Sequence, residues 1–173
     1  LHFITYSAPA RMGSLKSNLF YHEVRVSDYP LFEYQPYELV LTSKMVEITV
    51  AHDLDLLHVH YAIPHASAAI MARDILRAQG IDIPVVTTLH GTDITLLGRE
   101  PAFEPVISYA INRSDAVTAV SESLRSDTLE LFGVERSIQV VNNFICTRHF
   151  EKDADEAFRK SIAPNGEPII AHI

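Results

Sequence analysis

The most restrictive feature of this chain is a regular alternation. Short runs rich in β-branched residues recur along it, and most are followed by a stretch with helical spacing of apolar residues. That order calls for parallel strands joined by crossover helices. The candidate strands are Leu1–Tyr6, Glu23–Val26, Leu54–His60, Pro84–His90, Asp115–Val120 and Ile138–Val141. Within the fourth, Val85-Val86-Thr87-Thr88-Leu89 is apolar or β-branched throughout, the pattern of a strand covered on both faces. The expected fold class is α/β, a Rossmann-like parallel sheet with flanking helices.

The intervening helices have readable ends. Residues 37–52 carry Leu41, Met45, Ile48 and His52 at near-helical spacing. Residues 65–79 are alanine-rich and stop at Gly80, which suits a left-handed cap. Pro101 fits the first turn of a helix over 102–113. Ser121 is placed to cap a helix over 122–132, with Gly133 closing it.

Near residue 150 the composition shifts to the charged stretch 151–156. A short helix and Pro164-Asn165-Gly166 then lead to a last apolar run, 168–173. This divides the chain into a main domain over 1–147, a linker over 148–167 and the first strand of a further domain over 168–173. Both ends read as cuts, because the chain opens on Leu inside one apolar run and closes inside another.

Composition removes several function classes. A net charge of −8 leaves no electrostatic footprint for nucleic acid or an anionic membrane. No apolar run approaches the roughly 20 residues of a spanning helix, and the start has neither the basic region nor the cleavage site of a signal peptide. The single cysteine, Cys146, excludes an internal disulfide and a multi-cysteine metal site, and agrees with a reducing cytoplasm.

In open parallel sheets, ligands gather beyond the carboxyl ends of the strands. Four clusters fall there. In the first, residues 58–65, His58 and His60 alternate onto one strand face while Tyr61 and His65 project from the following loop. A His-x-His strand can open a metal site, but no aspartate follows within five residues and no cysteine is near; packing and hydrogen bonding are the preferred reading, with no metal. The second is Thr87-Thr88-Leu89-His90-Gly91-Thr92-Asp93. Here Gly91 permits close backbone approach, and the hydroxyls and imidazole suit a polyhydroxylated or anionic ligand. An ordinary turn with Asp93 as a cap explains the same residues. Ser121, in the third cluster, stands at a helix N-terminus and reads as an anion contact or a plain cap. The fourth, Asn142-Asn143-Phe144-Ile145, borders the linker or simply forms a turn. No Walker loop, Gly-x-Gly-x-x-Gly or Ser-His-Asp order is present.

Taken together, the segments Tyr21-His22-Glu23-Val24, 28–34, 58–65, 87–95, 117–121 and Asn143-Phe144-Ile145 resemble, in the same order, the N-acetyl-α-D-glucosaminyl L-malate synthase family of bacillithiol biosynthesis. The resemblance runs over nearly the whole chain. The His-Gly-Thr-Asp turn alone marks the broader group of retaining GT-B glycosyltransferases. The His-Val-His-Tyr-Ala-Ile-Pro-His-Ala run is much narrower.

The resemblance implies the N-terminal domain of a GT-B fold and a hexosyltransferase activity. N-acetylglucosamine would pass from UDP-N-acetylglucosamine to the hydroxyl of L-malate, with no bound metal and no cofactor besides the donor. Tyr61 and Thr88 would contact malate, and His90 with Gly91 would line the reaction centre. Asn143 would sit at the cleft edge and Ser121 is a candidate donor contact. Arg11 is a candidate partner for a malate carboxylate, by its charge and its place after the first strand. The family carries a Gly-rich loop before the segment matched here, and a basic pair and two glutamates after it; none lies within this chain, so these residues alone should show no turnover. Cys146 stands where the family usually has Asp. Small-molecule substrates, a cytoplasmic location and self-association are further implications. Two alternatives stay open: a retaining GT-B enzyme with another acceptor, and a non-catalytic ligand-binding α/β module.

Overall fold

Six strands and five helices alternate in a computed structural model that describes residues 1–9, 18–27, 33, 35–147 and 155–170. In chain order they are β1 (His2–Thr5), β2 (Phe20–Glu23), α1 (Tyr37–His52), β3 (Leu57–His60), α2 (Ser67–Ala78), β4 (Val85–Leu89), α3 (Glu104–Arg113), β5 (Ala116–Ala119), α4 (Glu122–Leu131), β6 (Ile138–Val140) and α5 (Glu156–Ile162). All pairings are parallel: β1 with β2 as one pair, and β3-β4-β5-β6 as a four-stranded sheet. The chain forms two compact units, 1–142 and 143–173.

The core lies on one face of the four-stranded sheet. Leu57, Val59 and Val85 pack with Ala69, Ile70, Ala72 and Leu76 of α2 and with Leu41 and Met45 of α1. Leu89, Val117, Ala119 and Ile138 pack with Ile107 and Ile111 of α3 and Leu124 of α4. Alternate positions point the other way, as the two-residue strand period requires. There His58, His60 and Ala116 are exposed, and Val86 and Thr118 half-buried. β4 itself is covered on both faces as expected, with Val85, Thr87 and Leu89 buried on the core face, and Thr88 buried and Val86 half-buried on the other. Thr88 is buried on that second face, where its hydroxyl bonds His58 and Thr118.

At the amino ends of β4 and β5, Arg73 of α2 is 2% exposed and donates from Nη1 to Asp115 Oδ2 and to the Arg113 carbonyl, each at 3.0 Å. Asp115 Oδ2 also accepts from Val85 N–H at 2.8 Å. One ion pair therefore ties α2 to the amino ends of both central strands.

Other element ends also differ from expectation. The second strand is Phe20–Glu23 rather than Glu23–Val26, because the ladder to β1 runs through Phe20, Tyr21 and His22. Val24, just past it, donates its N–H to Thr5 O and is buried. Pro105, not Pro101, occupies the first turn of α3. Gly80 does close α2 with φ of 83°, but α4 ends through an extended Phe132, with no left-handed glycine at Gly133. Residues 168–170 pair with no strand, and 171–173 lie outside the described residues.

Candidate functional site

The carboxyl ends of β3 and β4 deliver a group of aromatic and hydroxyl side chains to one place. Register sets His60 beside Thr88 and Thr88 beside Thr118 across three strands. His58 Nε2 bonds Thr88 Oγ1 at 2.8 Å, and Thr88 Oγ1 bonds Thr118 Oγ1 at 2.8 Å. A hydroxyl has one proton and two lone pairs, so Thr88 retains capacity for one further hydrogen bond.

One residue further along, His60 Nδ1 and His90 Nε2 are 2.7 Å apart, joining β3 to the turn after β4. The His58 ring stacks on His60 at 5.0 Å between centroids, and the Tyr61 ring lies 5.1 Å from His90. His65 donates from Nδ1 to the His60 carbonyl at 2.7 Å. That fixes the tautomer of a neutral His65, leaving Nε2 as the acceptor for Tyr37 Oη at a long 3.4 Å.

Two backbone features shape this group. Tyr61 adopts φ of 76° and ψ of 138°, a sparsely populated region for a residue with a Cβ. Such strain, of order 1–3 kcal/mol, persists where surrounding contacts enforce it and clusters at functional positions. The enforcing contacts are Tyr61 N–H to Thr88 O at 2.9 Å and Ala66 N–H to Tyr61 O at 3.2 Å. Gly91 has φ of 123°, which disfavours any side chain even though a Cβ there would meet open space.

Beneath both loops lies Asp93, 1% exposed. Its Oδ2 accepts from Ala62 N–H at 2.7 Å and its Oδ1 from Gly91 N–H at 3.2 Å. One carboxylate thus ties the loop after β3 to the turn after β4.

Burial and the neighbouring His58, His90 and His65 hold the His60 imidazole below its ordinary range, although part of its surface meets solvent. Burial also pulls His65 down, against the raising effect of its bond to the His60 carbonyl and of Asp93. Imidazoles, hydroxyls and a tyrosine make a surface that donates and accepts hydrogen bonds. That suits a polyhydroxylated ligand.

The profile of glycosyltransferase family 4 matches residues 1–149. The chain belongs to glycosyltransferase family 4. Among curated family 4 relatives, the chain is 45% identical over 174 aligned residues to N-acetyl-alpha-D-glucosaminyl L-malate synthase of Bacillus anthracis, covering all of this chain and 45% of that protein. It is 27% identical over 110 residues to the putative teichuronic acid biosynthesis glycosyltransferase TuaC of Bacillus subtilis strain 168, covering 62% of this chain and 27% of that one. The chain therefore spans less than half the length of either relative.

Of the residues singled out in the sequence, His58, His60, Tyr61, His65, Thr88, His90 and Gly91 are brought together. Ser121 is used as a helix cap, its Oγ accepting from Leu124 N–H at 3.1 Å. Asn143 is exposed and belongs to the second unit. Arg11 lies outside the described residues. Cys146 is exposed, and no helix among the described residues is long and apolar enough to cross a membrane. Two contributors escaped the sequence. Asp93 was visible as a turn cap and as the end of the His-Gly-Thr-Asp turn, but not as the tie between the two loops. Tyr37 carries no local signal, since its partner His65 stands 28 residues away.

Proposed function

We propose that the full-length protein containing this chain is a retaining hexosyltransferase. It moves N-acetylglucosamine from UDP-N-acetylglucosamine to the hydroxyl of L-malate, the first step of bacillithiol biosynthesis. The observation that carries this reading is the 45% identity to the malate synthase, which extends over the whole chain and so includes the loops after β3 and β4. Residues 1–147 form the acceptor-side domain, 148–167 the linker and 168–173 the start of the nucleotide-sugar domain. The donor site lies mostly outside these residues.

In this reading Tyr61 and Thr88 contact malate, and His90 with Gly91 lines the reaction centre. The positive φ of Gly91 lets the backbone approach the transferred sugar without a Cβ in the way. Thr88 spends its one remaining hydrogen bond on the acceptor, with His58 and Thr118 fixing its orientation. Arg11 pairs with a malate carboxylate, Asn143 borders the cleft, and Ser121 offers the helix end it caps to the donor. Catalysis rests on positioning and on stabilising the departing diphosphate, with no metal in the reaction and no cofactor besides the donor sugar nucleotide. The protein acts in the cytoplasm on small molecules, binds neither nucleic acid nor membrane, and self-associates.

The match to TuaC favours a second reading, a family 4 enzyme with a different acceptor. Kinetics of Tyr61→Ala and Thr88→Val in the full-length protein separate the two. Each variant is expected to lose about tenfold or more in kcat/KM for malate while the KM for the sugar nucleotide stays within about twofold. Wild-type malate kinetics in both variants would remove these residues from the acceptor site.

A further inference from the structure

A second group of imidazoles stands apart from the loops after β3 and β4. His2 of β1, His22 of β2 and His52, the last residue of α1, each offer one ring nitrogen, and these nitrogens all lie within 4.8 Å of one another. His2 Nδ1 and His22 Nε2 are 2.8 Å apart with their rings nearly parallel, at an angle of 8°. The His52 ring lies 4.4 Å from that of His2 and 5.4 Å from that of His22. His2 and His22 are half-buried, whereas His52 is exposed and leaves the group open to solvent.

The placement follows from the topology. Parallel register puts His22 opposite Ile4, so His2, Ile4 and His22 share one face of the β1–β2 pair. α1 contacts β1, and its carboxyl end brings His52 over that face. The group is remote from the candidate acceptor site. Tyr37, which meets His65, begins α1, and His52 ends it fifteen residues later, about 22 Å along the axis.

Chemically the group consists of bases without an acid. Among the described residues no carboxylate or carbonyl bonds any of the three rings. Glu47, which acts on His22 electrostatically, is paired with Lys44 at 2.7 Å. Burial and the neighbouring His52 pull both His2 and His22 below the ordinary imidazole range. Two tetrahedral zinc–imidazole bonds of ~2.0–2.1 Å set their nitrogens about 3.3 Å apart. The His2–His22 separation is about half an ångström short of this, within reach of small side-chain rotations.

We propose that His2, His22 and His52 form a binding site for a zinc-class divalent transition-metal ion, with three nitrogen ligands and a fourth position open to water. Imidazole is a good donor for such ions, and the site clamps both strands of the β1–β2 pair to the end of α1. It lies outside the transfer reaction.

The test uses the full-length protein, stripped of metal and titrated with Zn²⁺ alone against a chromophoric chelator. The wild type, His52→Ala and His90→Ala are compared, the last because the other imidazole cluster also offers nitrogen donors. One tight equivalent is expected in the wild type and in His90→Ala, and its loss in His52→Ala. Co²⁺ in place of zinc should give the visible bands of a tetrahedral site in the wild type, and these should be absent from His52→Ala. Because His52 is exposed at a helix end, its replacement leaves the core intact. A wild type that takes up no tight equivalent overturns the proposal, and so does a His52→Ala protein that keeps it.

Discussion

At the scale of single residues, Asp93 decides whether the histidines and Tyr61 meet. Its two oxygens accept one N–H from each of the two loops, in a setting with almost no solvent. Asp93→Ala leaves both N–H groups unpaired, at a cost of about 2 kcal/mol or more. We expect a urea midpoint lowered accordingly, and malate kinetics impaired beyond those of Thr88→Val. An Asp93→Ala protein as stable as wild type would mean that the loops are held by other contacts. The sequence places this aspartate at the end of the His-Gly-Thr-Asp turn but does not show what it bonds. Its role depends on the Ala62 amide, 31 residues away, and only the folded chain brings that donor to it.

At the scale of elements, much was legible and the errors share a cause. The bounds of α1 follow from its apolar spacing, and those of β3, β4, β5 and β6 fall inside the expected runs. β2 was misplaced because its pairing residues, Phe20 to Glu23, carry no β-branched side chain, whereas Val24 and Val26 beside them do. The start of α3 was assigned to the wrong proline because Pro101 and Pro105 both suit a first turn, and local preference does not choose between them. The last apolar run forms no strand over 168–170, since backbone pairing needs a neighbour and the described residues supply none. Of the site, the clusters at the carboxyl ends of β3 and β4 were legible because parallel sheets place ligand loops there. The bonds linking His60 to His90 and His58 to Thr88 were not, because they depend on register between strands 30 residues apart.

At the scale of the whole molecule, the imidazoles at the ends of β3 and β4 give stability a pH dependence of definite sign. Burial is the leading cause that holds His60 and His65 below the ordinary value of 6.5. As pH falls through about 6.5, the unfolded chain therefore takes up protons before the folded one does. Their contribution to stability is present above that window and is lost as pH falls towards the lower folded values. Urea midpoints of the full-length protein at about pH 7.5 and about pH 5.5 should differ, with the lower midpoint at the lower pH. Equal midpoints would mean that these imidazoles are not set apart from their ordinary range. The proposal for this family 4 domain is acceptor binding at the ends of β3 and β4. The most direct measurement of that account is incubation of the full-length protein with UDP-N-acetylglucosamine and a panel of hydroxy acids, with products resolved by mass. The account predicts an N-acetylglucosaminyl malate adduct as the dominant product, formed without added metal. Transfer to another acceptor in preference to malate, or no transfer at all, would contradict it.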